Sequence, residues 1–336
     1  MRLSLVSVLV GLTVSACGGG GGGDAPAAGT PVVVAPTSVT LTSSNYILAA
    51  SEAVSSGFFL LDAPSLAVGV ESSDDSAIIQ FGRDQVSKLG NRFKDQALAT
   101  GVVQTTTENC RSGGTLTVTE NDADNNSRES AGDSVGLTAN NCRPGDGSTI
   151  NGAFTIDILT LTGNLNSNFY TGSLRLTYKG FSVASSSSNL VANGDMTLTL
   201  AANGVNVLNE SMSASSFTVN SVIGGTSYSR SLTNFNTSQV KAPNTPTSSY
   251  KHTSTVKGTL ASSALSNLTL GVETTTPFVT LSTNSNPYVG QLLITGNAGS
   301  RTRVTAKSAT EVLIELDANG DGTYETSSTQ SWASIR

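Results

Sequence analysis

From Gly152 to Asp317 apolar and polar positions alternate in short runs separated by turn residues. The clearest are Phe154/Ile156/Ile158, Leu174/Leu176/Tyr178, Met196/Leu198/Leu200 and Val312/Ile314/Leu316, with Thr, Arg, Asp or Glu on the intervening positions. A period of two residues marks a strand with one face in a core and one in water. The pattern therefore predicts an all-β fold: a large antiparallel meander in the form of an open twisted sheet, a half-barrel or a sandwich. Gly152, Gly172 and Gly194 recur at spacings of 20 and 22 residues and are expected to open successive strands of about 8 to 12 residues. The phase changes between Ile158 and Leu159, and between Tyr178 and Phe181, predict bulges. Pro243 to Ser249 reads as a longer loop, with a subdivision of the body expected near 243. The stretch from Val312 to Trp332 reads as a hairpin around Asp317 to Gly322.

Helical periodicity is scarce. The best stretch runs from Asp84 to Leu98, where Asp84 can cap and Val86, Leu89 and Phe93 share a side. This predicts one short N-terminal helix near 84–98. Residues Val39 to Gln80 read as strands mixed with Ser-rich turns, and Phe58-Phe59-Leu60-Leu61 is their only dense apolar knot.

Only 12% of the 336 residues are charged, so solubility rests on Ser, Thr, Asn and Gly, which favour turns and exposed β faces. A net charge of -6 with no basic stripe argues against a nucleic-acid partner. Aromatics at 5% are too few for the two girdles of a transmembrane barrel.

The N-terminus changes the picture. Arg2 is followed by an apolar segment, Leu3 to Val14, too short to span a bilayer, and then by Val14-Ser15-Ala16-Cys17. This resembles the signal peptide and lipobox of bacterial lipoproteins over the first 17 residues. The resemblance implies cleavage after Ala16, lipidation of Cys17 and, with Gly18 rather than Asp following, an outer-membrane destination facing the periplasm or the surface. Six glycines, Gly18 to Gly23, and a Pro/Ala/Gly run to Pro36 compose a flexible tether with a reach of about 25 Å. The expected plan is a signal peptide (1–16), lipidated Cys and tether (17–37), a mixed region holding the helix (38–109), a disulfide-closed hairpin (110–142) and the meander (143–336).

With Cys17 set aside, Cys110 and Cys142 remain, and an oxidising envelope compartment predicts that they pair. Inside that loop, Asp122-Ala-Asp124-Asn-Asn126-Ser-Arg-Glu-Ser-Ala-Gly-Asp133 places oxygens at the first, third, fifth, ninth and twelfth positions of a calcium register. It resembles the EF-hand loop, departing from it in Ser127 for Gly, Glu129 for an apolar residue, Asp133 for Glu, and flanking strands for helices. A second loop offers Asp317, Asn319, Asp321 and Glu325; it keeps Gly322 but has Ser328 at the twelfth position. Both are candidate calcium sites, and both also suit a polar turn, which calls for the same Asp, Asn and Gly.

Catalytic patterns are absent from the sequence. His252 is the sole histidine, no G-x-S-x-G elbow accompanies it, and the glycine run precedes no strand–helix unit. The sequence thus predicts a non-enzymatic structural or binding lipoprotein, held at the membrane by its lipid, with an envelope protein or a lipid as partner. A carrier of acyl chains on an uncovered apolar sheet face, and an adhesive or calcium-stabilised surface module, are the specific forms that reading takes.

Overall fold

The computed structural model describes residues 37–61, 85, 103–145, 147–186, 188–204, 207–223, 225–244 and 249–335. From Pro36 onward they form one compact unit. Its body is a single antiparallel sheet of 14 strands in strictly sequential order. The short N-terminal strands are β1 (Gln104–Asn109), β2 (Thr115–Asn121) and β3 (Ser134–Cys142). The long ones are β4 (Thr149–Gly163), β5 (Phe169–Ala184), β6 (Ser188–Asn203), β7 (Leu208–Ile223), β8 (Thr226–Asn244), β9 (Ser249–Ser262) and β10 (Leu268–Leu281). Short strands return in β11 (Val289–Thr295), β12 (Arg301–Ala306), β13 (Glu311–Asp317) and β14 (Thr326–Ser331). The sheet is open: among the described residues β1 pairs only with β2, and β14 only with β13.

The alternation seen in sequence is the alternation of burial. Phe154, Ile156 and Ile158 of β4, Leu174, Leu176 and Tyr178 of β5, and Met196 and Leu198 of β6 are all at most 2% exposed, and one core runs from them to Trp332 and Ile335. Each fully buried large side chain contributes about 1.5 to 3 kcal/mol. The middle strands are longer than the spacing of glycines predicts, at 14 to 19 residues. The reason is that Gly152, Gly172 and Gly194 lie inside strands rather than at their starts. Both expected bulges are present, at Ile158/Thr160 and Tyr178/Phe181.

Further register shifts occur at Gly194/Met196, Thr233/Asn236 and between β10 and β11. Glycines at these irregularities face phenylalanines. A Cβ on Gly152, Gly194, Gly258 or Gly290 would stand 2.8, 3.0, 2.6 or 2.6 Å from the Cα of Phe181, Phe217, Phe235 or Phe278 respectively. Every one of those rings is buried. Missing side chains thus let adjacent backbones close over aromatic rings while the bulges bend each strand. No subdivision occurs near 243, because β8 and β9 pair from Arg230↔Ser262 through Asn244↔Ser249.

The helix expected near 84–98 lies outside the described residues apart from Gln85, which is helical. The structure instead places a helix, α1 (Tyr46–Leu61), in the stretch read as strands and turns. Tyr46, Ala49, Ala50, Ala53, Val54 and Gly57 recur at helical spacing and are buried, and small residues let the helix lie close against the sheet. A Cβ on Gly57 would meet Val256 at 3.1 Å. Glu52, 9% exposed, receives Arg230 Nε at 3.1 Å and Ser262 Oγ at 2.7 Å, joining α1 to β8 and β9.

The chain enters the sheet beside β10. Ser38 forms a parallel bridge to Thr269, Asn297 N donates to Val39 O at 2.7 Å, and Leu41 N donates to Ser300 Oγ at 3.0 Å. In a sequential meander, turns after odd-numbered strands share one end of the sheet and turns after even-numbered strands share the other. Thr37 therefore sits at the end that holds the disulfide and the 318–325 loop, here termed the entry end. The 122–133 loop lies at the far end.

Candidate metal sites in two acidic loops

Cys110, just after β1, and Cys142, at the end of β3, form a disulfide with Cα atoms 5.3 Å apart. It staples the β1–β2 turn to the base of the β2–β3 hairpin, where Arg143 N donates to Gly113 O and Ser112 N to Arg143 O, each at 2.9 Å. The acidic loop closes the opposite end of that hairpin. Cys17 lies outside the described residues.

In the 122–133 loop, carboxylate oxygens of Asp122, Asp124 and Asp133 lie within 4.8 Å of one another. Asp122 and Asp133 are 1% and 0% exposed, Asp124 is exposed. Backbone amides organise them. Asp122 accepts from Asn126 N at 3.1 Å and Ser127 N at 2.8 Å, and Asp124 from Asn126 N at 3.2 Å. Asn126 Oδ1 accepts from Arg128 N at 2.7 Å, while its Nδ2 donates to Asp124 at 2.8 Å. Asp133 closes the loop, accepting from Ala123 N at 2.9 Å and Ser130 N at 2.7 Å. Ser130 Oγ bridges Asp124 and Asp133 at 3.1 and 3.0 Å. Burial, and then the charge of Asp122, push the Asp133 carboxyl above its ordinary pKa, against the lowering effect of its hydrogen bonds. Glu129 is buried outside this cluster, and its Oε1 has no hydrogen-bond partner among the described residues.

The 317–325 loop repeats the plan. Asp317, Asp321 and Glu325 approach within 4.8 Å, with Asp317 fully buried and the other two exposed. Asp317 accepts from Gly320 N at 2.7 Å and Gly322 N at 2.9 Å. Asn319 accepts from Asp321 N at 2.9 Å, and Asp321 from Thr323 N at 2.7 Å. Glu325 accepts from Ala318 N at 3.2 Å, the role Asp133 has toward Ala123. Hydrogen bonds from Thr323 N and Asn319 hold the Asp321 carboxyl below its usual pKa. Tyr324 carries the Arg303 guanidinium 4.0 Å from its ring centre, and Arg303 in turn binds Glu315 at 2.8 Å. Ser328, at the twelfth position, lies in β14 opposite Ile314.

Each set fits a hard cation by donor type. A carboxylate offers about four acceptor sites, and Asp122 and Asp317 each use two of them on the backbone amides above. All ligand atoms are oxygens on a tight turn, as calcium requires. The same hydrogen bonds build a stable polar turn without any ion.

His252, on β9, is half buried, and burial followed by Lys241 lowers its pKa. At neutral pH it is therefore an uncharged strand residue. Sequence reasoning missed two side chains that pin the structure: Glu52, in a stretch read as strands and turns, and Tyr324, whose cation partner comes from β12. Compared with known protein families, characterised proteins and solved structures, the chain matches none.

Proposed function

We propose that the chain is an outer-membrane lipoprotein, anchored through lipid on Cys17, whose body is a non-enzymatic structural or binding module stabilised by calcium. The observation that carries the calcium assignment is the convergence of three acidic side chains in each of two loops, with Asp122, Asp133 and Asp317 buried. Buried like charges repel unless a proton or a cation intervenes. The anchor assignment rests on the residues from Arg2 to Cys17. A structural or binding role is supported over acyl-chain transport by the burial of the apolar sheet face. The large exposed hydrophobics among the described residues, such as Leu48, Leu159, Phe169, Val222, Tyr228, Val240 and Val289, are spread over α1, β4, β5, β7, β8 and β11.

The test is fractionation of cells expressing the parent and Cys17→Ser. The parent is expected in detergent-dependent membrane fractions and the variant in the soluble envelope fraction with its body folded. A Cys17→Ser protein that still requires detergent would overturn the anchor.

A further inference from the structure

We propose that the open edge at β14 is a self-association surface, on which a second copy of this chain pairs antiparallel about a two-fold axis at Thr329. Two sheets of 14 strands then join into one. The contact uses the folded body alone and does not depend on the lipid anchor.

The phase of the last ladder decides which backbone groups the edge offers. Trp332 N donates to Thr310 O at 3.2 Å, one step beyond the partners Ser331 and Glu311. Hydrogen-bonded and non-hydrogen-bonded pairs alternate along an antiparallel ladder. Thr326, Ser328 and Gln330 therefore turn their N–H and C=O groups toward β13, and Ser327, Thr329 and Ser331 turn theirs outward. Among the described residues β14 pairs with no strand but β13. Ser331 O accepts Ser334 Oγ at 2.8 Å and keeps a second lone pair.

Edges that avoid pairing carry charge, proline, a bulge or a cover. The sequence of β14 is Thr-Ser-Ser-Thr-Gln-Ser, without charge or proline, and its register against β13 is unbroken from Thr326 to Ser331. Ser327, Thr329 and Ser331 are exposed, and on the other face Gln330 Nε2 donates to Ser328 Oγ at 2.8 Å. This array is its own complement. An axis at Thr329 sets Thr329 opposite its counterpart, Ser327 opposite Ser331 of the second copy, and Ser328 opposite Gln330. Every outward residue then lies in a hydrogen-bonded pair, for about six backbone hydrogen bonds in all. Opposed side chains share a face, so exposed hydroxyls meet exposed hydroxyls.

Charge does not oppose the contact. Glu311 and Glu315 stand on β13 beside Ser331 and Ser327. Across the axis, Glu315 and the second copy's Glu311 are three strand spacings apart, roughly 14 Å. The screening length at physiological salt is about 8 Å. Glu325, which precedes the strand, faces the Trp332–Ser334 turn of the second copy rather than another acid. An edge of this length spans about 20 Å, so the contact is small and its dimer concentration-dependent.

The competing arrangement is head to tail, β14 on β1. Cys110 N donates to Gly114 O, so by the same alternation Thr105, Thr107 and Asn109 face outward, and Thr107 would oppose Thr329.

The test uses the full-length Cys17→Ser chain. Sedimentation velocity between about 10 and 500 µM should show a dimer fraction that rises with concentration. Thr329→Pro removes one outward N–H and leaves the bonds to β13 in place. Thr329→Lys sets like charges face to face across the axis. Each should reduce the dimer several-fold while melting cooperatively, and if Thr329→Pro does not fold, Thr329→Lys decides. Opposed Cα atoms in a hydrogen-bonded pair are about 5.5 Å apart, within disulfide reach. Oxidation should therefore crosslink Thr329→Cys several-fold faster than Ser327→Cys or Ser331→Cys alone, and a mixture of those two should match Thr329→Cys. A chain that stays monomeric over this range, or a dimer that Thr329→Lys leaves unchanged, overturns the proposal. Preferential crosslinking of Thr329→Cys to Thr107→Cys also overturns it, in favour of head-to-tail pairing.

Discussion

The two acidic loops reach one backbone design by different routes. In each, the first Asp gathers amides from the following residues, the third residue accepts from the fifth, the fifth from the seventh, and a later acid accepts from the second. Both hold positive φ at the fourth and sixth positions. The 317–325 loop assigns them to Gly320 and Gly322, at 78° and 92°, whereas the 122–133 loop assigns them to Asn125 and Ser127, at 56° and 58°. A left-handed conformation costs a residue with a Cβ about 1 to 2 kcal/mol, so the first loop holds strain that the second avoids. It is also the one with a covalent staple at its hairpin base and with two buried acids. One backbone design is thus met by glycines in one loop and by Asn and Ser in the other, which raises the question of whether the staple offsets the strain.

The largest expected effect comes from removing that restraint. Cys110→Ser or Cys142→Ser opens a loop whose ends are 32 residues apart, a loss of about 3 to 4 kcal/mol on the chain-entropy account. Chemical denaturation should show this loss, and calcium should stabilise the variant less than the parent because only the glycine-built loop keeps its shape. An undiminished calcium response would show that the staple does not support the 122–133 loop.

Next come the organising acids. Asp122→Ala strips the acceptors from Asn126 N and Ser127 N, and Asp317→Ala strips them from Gly320 N and Gly322 N. These amides belong to exposed or half-exposed residues, where water can replace the carboxylate, so each variant should lose about 1 to 2 kcal/mol in denaturant melts. A variant within about 0.5 kcal/mol of the parent would mean that its loop does not depend on that carboxylate.

Calcium itself should act more gently. The incomplete EF-hand register places the dissociation constant at about 0.1 to 1 mM, so about 5 mM calcium should add about 1 to 2 kcal/mol for each loop it occupies. Melting with calcium and with chelator reads this directly, and Asp124→Asn should shrink the difference. The effect should also depend on pH. Burial and Asp122 raise the Asp133 pKa above the 3.8 of an ordinary Asp. Its protonated form therefore contributes stability that is full below the unfolded value and is lost as pH rises through the folded one. Calcium needs the ionised form, so its increment should be larger near about pH 7.5 than near about pH 4.5. Identical melting with calcium and with chelator at both pH values would make these loops metal-free polar turns.

How much of this was legible in sequence follows from which interactions are local. The sheet was, because burial of Phe154, Ile156 and Ile158 and of Val312, Ile314 and Leu316 obeys the period of two. The disulfide was, because only two cysteines remained beyond Cys17. Helix α1 was not: its buried face is built from Ala49, Ala50, Ala53, Ser56 and Gly57, small residues that leave little apolar contrast, and its anchor is the distant Arg230. The glycines misled for a related reason. Gly152 and Gly194 read as strand starts until Phe181 and Phe217 are seen pressed against them from neighbouring strands. In the loops the ligand-bearing positions were legible, since Asx turns are local. Glu325 was legible as the last acid of the second set; what needed the pairing of β14 was that Ser328, at the twelfth position, lies in the sheet.

The smallest and most discriminating change exchanges the residue at the sixth position between loops. Gly322→Ser adds a Cβ at a φ of 92° with no heavy atom within 4 Å of it, so the cost is conformational rather than steric. It should destabilise by about 1 to 2 kcal/mol. Ser127→Gly relieves the corresponding strain, yet it also frees the unfolded chain and gives up whatever the Ser127 side chain contributes. These terms oppose each other, and the net change should lie within about 0.5 kcal/mol of zero. Denaturant melts of both variants, run beside their Cys110→Ser combinations, separate the contributions. With the staple cut, Ser127→Gly should become stabilising relative to its own background, because the strained loop has then lost the restraint that offset the strain. If Ser127→Gly has the same effect with and without the disulfide, the restraint at the hairpin base does not reach the turn, and the two loops are independent solutions to one backbone problem.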